Sequence, residues 1–210
     1  MFPSRAFPVY PSSAARSTMA DLILLLRNWG QAGESDFSID AVSYWTDLQL
    51  QTVLDRHRTY VRREELECIP ERTGGTSYYY DYFSKYRHFE LTDGGTAVFL
   101  IEDSNGDARA TSTWSANYWD GYIRFTTDQA GTTLYLTGRS YDMHAASAEI
   151  WRTKAANVSA YYSFSADGQR LDRSDWYKHC VAQAQFHESQ AAPMMVSLVR
   201  ADAPEWGERP

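Results

Sequence analysis

The sequence predicts an α+β protein: a core of four helices interrupted by a small inserted antiparallel β module. Three observations predict it. Two capping-box patterns, Thr18 with Asp21 and Thr46 with Gln49, each precede apolar residues at helical spacing. Between about residue 64 and residue 137 the period changes to two, with turn signals between the alternating runs. After Gly138 an alanine-bearing run reads as helix again, and a fourth helical segment follows it.

Length and composition suit one domain with an insert. Of 210 residues, 43% are apolar and 15% aromatic, enough to build a core and unlike a disordered chain. A formal charge of −7 excludes a nucleic-acid binder that works through a basic face, because phosphate affinity needs clustered Lys and Arg. Cys68 and Cys180 have no CxxC spacing and are expected as reduced, buried or half-buried thiols. The longest apolar run, Leu22 to Leu26, falls far short of the roughly 20 residues that a membrane span needs.

Residues 1–17 hold Pro3, Pro8 and Pro11 and are expected to form an extended arm, since the prolines spoil the amphipathic helix of a transit peptide. Helix one places Leu22, Leu25, Leu26 and Trp29 on one stripe and stops at Gly30. Ile23 and Leu24 widen that stripe, so the helix should be covered on more than one side. Helix two starts after Thr46, with Trp45 and Leu50 placed as a hydrophobic staple. Leu50, Val53 and Leu54 form its inner face and Val61 continues it, so 18–63 makes the first half of the helical core.

The β module is expected over 64–137, with strands at 77–83, 87–91, 96–102, 121–127 and 132–137. Asn105-Gly106 is its strongest hairpin turn. Ser140 is expected to cap helix three, with Asp142 in the first turn, and the helix runs to about Asn157. Helix four begins between Asp172 and Ser174, after a turn at Asp167-Gly168, and completes the helical core over 138–190. Residues 191–210 read as a short strand and a polar tail.

Motifs with chemistry are scarce. Asp103, Asn105 and Asp107 alternate like a calcium loop, but the glycine falls at position four and Trp114 stands at position twelve, so a hairpin turn is the better account. His57, His88, His144, His179 and His187 include no pair at i+3 or i+4, and there is no HExxH, GxSxG or phosphate-binding loop. No catalytic residue, metal ligand or cofactor is therefore assigned. The run "SYYYDYFSKY" at 77–86 is the best argument for a contact surface in the β module, with Tyr78, Tyr80, Tyr82, Trp114 and Trp119 as its candidates. The competing account is a thin sheet with tyrosines on both faces. Ala145, Ala146, Ser147 and Ala148 open helix three with almost no bulk, either from propensity alone or because another backbone approaches closely.

The order of segments resembles the head–tail connector proteins of tailed bacteriophages, also called adaptor or head-completion proteins. The resemblance runs through "LILLLRNW", "YWTDLQLQTVLDRHR", "LYLTGRSYDMHAASAEIWRTKAA" and "SFSADGQRLDRSDWYKHCVAQAQFHESQ", and is most specific at Tyr141-Asp142 and "DGQRLDRS". It implies a connector-type four-helix core and a virion protein without catalysis, made in the host bacterial cytoplasm. Identical subunits would form a ring, usually twelvefold, beneath the portal protein. Such a ring extends the DNA channel, which DNA traverses without sequence-specific binding, and offers a docking surface to a stopper or tail-completion protein. The β insert departs from the compact helical plan of many members. On this reading Leu24, Trp29, Met143, Ala145, Ala148, Ile150 and Trp151 are candidates for the subunit interface, and Arg200, Trp206 and Arg209 for portal docking. The alternative is a ligand- or carbohydrate-binding virion or surface protein that uses the Tyr/Trp-rich module.

Overall fold

A computed structural model of the chain describes residues 15–33, 37–39, 42–91, 98–160, 165–166, 169–170 and 173–191. Among these lie four α-helices: α1 (Ala20–Gly30), α2 (Asp47–Arg56), α3 (Met143–Ala160) and α4 (Arg173–Gln190). A three-stranded antiparallel sheet has the order β3 (Arg58–Glu65), β9 (Tyr135–Tyr141), β6 (Phe99–Glu102). A four-stranded antiparallel sheet has the order β4 (Glu67–Thr73), β5 (Thr76–Phe83), β8 (Tyr122–Phe125), β7 (Trp114–Asn117). Two short ladders complete the list, β1 (Phe37–Ile39) with β2 (Val42–Tyr44) and β10 (Ser165–Ala166) with β11 (Gln169–Arg170).

The expected four-helix core with one small inserted β module does not form; helices and two sheets share the molecule. The main difference lies at 58–63, expected as the end of the helix-two segment and found in β3. Val61 and Glu64 are the buried positions of β3, three residues apart, because a bulge shifts the register between them and Arg63 takes a φ of 44°. A bulged strand thus copies the spacing of a helix. Val61 lies in the sheet core with Leu66, Tyr82, Phe99, Ile101, Ile123 and Leu136. The same bulge, and Pro70 in the outer strand β4, discourage further strands from pairing at these edges.

The helical core has two parts, on either side of α3. Met19, Leu22, Ile23 and Leu26 of the α1 region meet Leu50, Val53 and Leu54 of α2 and Met143, Ala146 and Ile150 of α3. Farther along α3, Trp151 and Ala155 pack against Cys180 and Ala184 of α4. The low bulk of early α3 follows: Ala146, Ser147 and Ala148 are buried where helices of the same chain crowd it. Propensity and close approach act together there.

Two expected caps are used otherwise. Thr46 forms its capping box with Gln49. Thr18 does not cap α1; its hydroxyl donates to the buried Glu90 carboxylate at 2.7 Å, a charge-assisted bond stronger than the neutral one it would accept from an orphan N–H. Ser140 lies in β9 and donates to the Arg87 carbonyl, while Asp142 accepts the Ala145 N–H at 2.9 Å and caps α3. The α1 terminus is a Schellman motif on Gln31 (φ 48°), with Ala32 N–H bonded to Arg27 O and Gln31 N–H to Asn28 O.

Gly30 therefore serves packing rather than the turn. A Cβ there would stand 2.9 Å from Cγ2 of Ile150, itself fully buried. Helix propensity alone would make Gly30→Ala stabilising by about 1 kcal/mol. The clash is expected to reverse the sign and cost about 1–3 kcal/mol, read from the shift in denaturant midpoint. A gain in stability would show that α1 and α3 are not in close contact at this point.

Below these helices the first described residues are tied down by a buried ionic cluster. The Glu90 side chain, 1% exposed, accepts from Thr18 and Tyr141 (both 2.7 Å), Arg16 Nε (3.0 Å) and Arg139 (3.3 Å). Arg16 also reaches Asp55 of α2 at 2.7 Å. One carboxylate so joins the segment before α1 to β9, and Arg16 extends the tie to α2. The portion of the expected arm at 1–14 lies outside the described residues, as do 192–210 of the tail.

Candidate functional site

Three histidines far apart in sequence converge on Trp29 at the end of α1. His88 follows β5, and its position is set by backbone bonds from its N–H to the Trp119 carbonyl and from the Tyr141 N–H to its own carbonyl. His144 enters from the first turn of α3, directed by the Asp142 cap, and His187 from the last turn of α4. The Trp29 ring lies 4.6 Å from His144, 5.9 Å from His187 and 6.1 Å from His88, centroid to centroid. Trp119 closes the far side, 6.3 Å from His88.

Within this junction Nδ1 of His144 and Nδ1 of His187 are 3.1 Å apart. One ring must donate while the other accepts, so the contact requires at least one of the two to be neutral. Burial holds His187 below the ordinary value of 6.5, and the neighbouring His144 pushes it the same way. His88 is lowered as well, by burial first and then by His144 and Arg87 against the pull of Asp142 and Asp120. Among the described residues no three His, Cys, Asp or Glu side chains converge to hold a metal ion.

The α1 end is satisfied from α3. Trp151 Nε1 donates to the Trp29 carbonyl at 3.1 Å, and buried Lys154 donates to the Gln31 carbonyl at 2.8 Å. A cation at a helix C-terminus is favoured by the dipole. On the other side of α3, Glu149 takes Arg56 of α2 and His57, the residue that follows it, with His57 Nε2 at 2.8 Å. Burial would raise the Glu149 carboxyl, but these hydrogen bonds and charges hold it below its usual range.

A second feature is the outer surface of α4. The helix pairs with α3, leaving a groove of about 390 Å³ lined by Arg152, Ala155, Tyr177, Val181 and Glu188, with Arg152 and Glu188 ion-paired at 2.5 Å. Trp176 and Tyr177 remain 46% exposed and Phe186 56%. Nine residues at about 100° each put Phe186 on the side of α4 opposite Tyr177. Leu24 of α1 is also exposed, at 59%.

The residues singled out from sequence fall into three groups. Met143, Ala148, Ile150 and Trp151 are buried in their own chain and have no surface to offer another molecule. Trp29 and Ala145 are half-buried, and Leu24 is open. Arg200, Trp206 and Arg209 lie outside the described residues.

The aromatic candidates of the β module divide too. Tyr82 and Trp114 are core residues, whereas Trp119 is exposed and Tyr78 and Tyr80 stack on each other at 6.0 Å. A bulge between the Ile69 and Glu71 pairings adds one residue to β5. It breaks the alternation that would have put Tyr78, Tyr80 and Tyr82 on one face. Arg124, beside Tyr80, is already engaged by Asp81 at 3.0 Å.

Sequence reasoning missed the histidine junction, since its members come from four separate elements and share no period. It also missed α4 as an exposed aromatic helix: the spacing places Tyr177 on the inner stripe with Val181 and Ala184, yet Tyr177 is 46% exposed, and Trp176 and Phe186 outside that stripe were the signal available. Comparison with known proteins yields no match: no protein-family model fits the chain, and no curated protein or solved structure is similar to it. Among the described residues no helix is long and apolar enough to cross a membrane.

Proposed function

We propose that this chain is a structural subunit of the head–tail connector of a tailed-phage virion, assembling as a ring beneath the portal and presenting a docking surface to the stopper or tail. The single observation that carries the reading is α4, whose two opposite sides expose Tyr177 and Phe186 while α3 covers only one stripe of it. A ring contact is heterologous: each subunit offers two different patches to identical neighbours. Opposite aromatic sides of one helix meet that requirement, and exposed Leu24 adds a further apolar point. The order of segments supports the phage assignment, and the charge of −7 suits a channel wall past which DNA must slide without sticking.

The test is binding to purified rings of the portal protein encoded in the same genome, followed by sedimentation and electron microscopy. The chain is expected to add a ring of density to the portal. A Tyr177→Ser/Phe186→Ser double variant, with both changes at exposed positions, is expected to lose that density while keeping its thermal midpoint. Failure of the unaltered chain to bind portal overturns the proposal. Glycan binding without portal affinity would replace it with the carbohydrate-binding alternative.

A further inference from the structure

We propose that the contact between His144 and His187 is an acid-released latch: it holds the last turns of α4 against α1 and α3 near neutral pH and frees them as the solution becomes acidic. The geometry makes the contact conditional on charge. The two Nδ1 atoms are 3.1 Å apart, and a second proton would leave two N–H⁺ groups facing each other. Both rings also lean on Trp29, at 4.6 and 5.9 Å, so moving either away gives up aromatic contact with α1.

Among the described residues, the carboxylates near the junction are engaged by other groups. From α1 the junction receives the uncharged Trp29 ring, and from α4 the Phe186 ring at 5.3 Å from His187. Glu188, next in sequence to His187, is paired with Arg152. Asp142 spends an oxygen on the α3 cap, and its charge and that of Asp120 act on His88 against Arg87. Besides burial, the group that disfavours a proton on His187 is His144. His88 adds a third imidazole to the same side, so acid brings more positive charge and no new anion.

The release is local. Trp151, Ala155, Cys180 and Ala184 hold the middle of α4 to α3 through apolar contacts that do not titrate. The stretch beyond Ala184, which includes exposed Phe186, is held to the other helices by the histidines and by the surface Arg152–Glu188 pair, which contributes little. The sign follows from the lowered values of His187 and His88: the released state binds more protons, so the latch is fully closed above about 6.5 and weakens as pH falls through that value. The latch rests on the junction alone and would exist whether or not copies assemble.

Amide hydrogen exchange on the full chain, at about pH 7.5 and about pH 5.5, tests it. After correction for the intrinsic rate, protection over 186–190 is expected to drop about tenfold at the lower pH, while 178–184 stays protected. A His144→Gln/His187→Gln double variant should remove most of that pH dependence. Equal protection at both pH values, or an undiminished drop in the double variant, overturns the proposal. Should the variant fold poorly, ring-proton titration of the unaltered chain decides: the His187 midpoint is expected below the ordinary histidine value. A His187 curve at the ordinary histidine value would refute the latch.

Discussion

Glu90→Ala is expected to destabilise the fold by about 3 kcal/mol, the low end for breaking a buried ion pair. Its side chain is 1% exposed and accepts from Thr18, Tyr141, Arg16 and Arg139. Truncation strands two buried hydroxyls and removes the counter-charge of two arginines. Because Arg16 and Arg139 keep about a third of their exposure, water recovers part of the loss. Thr18 precedes α1, Glu90 lies past β5, and Arg139 and Tyr141 lie in β9, so the loss should reach the whole fold cooperatively. Urea unfolding of the wild type and of Glu90→Ala, Tyr141→Phe and the double variant measures it. The double variant should cost much less than the sum of the singles; strict additivity would mean that the four partners do not act as one network.

The same carboxylate gives a pH dependence of definite sign. Burial alone would raise Glu90, but the bonds from Thr18 and Tyr141 and the charges of Arg16 and Arg139 outweigh it and hold the group below 4.5. Its contribution is therefore complete above about 4.5 and lost as pH falls below that value. Glu90→Ala should flatten the acid limb of the stability curve. A limb of unchanged slope would assign acid sensitivity to other groups.

Trp151→Ala is expected to cost about 3–5 kcal/mol, the range for deleting a buried aromatic. Trp151 is 1% exposed and touches three helices: its Nε1 donates to the Trp29 carbonyl of α1, it packs with Cys180 and Ala184 of α4, and Lys154 of α3 lies 5.0 Å from its ring. Trp151→Phe separates the terms, since it keeps most of the volume and loses the donor, at about 1 kcal/mol. If alanine and phenylalanine cost the same, the contribution of Trp151 lies in its hydrogen bond to α1 and not in its packing against α4. The alanine variant should also raise exchange along the whole of α4, unlike the local release at the histidines.

What the sequence by itself determined is local. Thr46 with Gln49, the run from Leu22 to Trp29 and the alternation at Ile123 and Phe125 each use neighbours within a few residues, and each forms as its pattern directs. The expected Asn105-Gly106 turn forms one residue earlier, on Ser104-Asn105, with Gly106 at a φ of 90° behind it. Tertiary structure decided the rest. Residues 58–65 became a strand because β9 supplies a partner that begins some seventy residues later, and the bulge at Arg63 made their burial look helical. Thr18 left its helix for Glu90, and Gly30 answered to Ile150 across a helix contact. The histidines acquired a shared site only when α1, α3 and α4 closed around Trp29. A sequence pattern reports the period of the chain's own burial, whereas strand pairing, buried charge and ring contacts are set by groups that folding brings in from elsewhere.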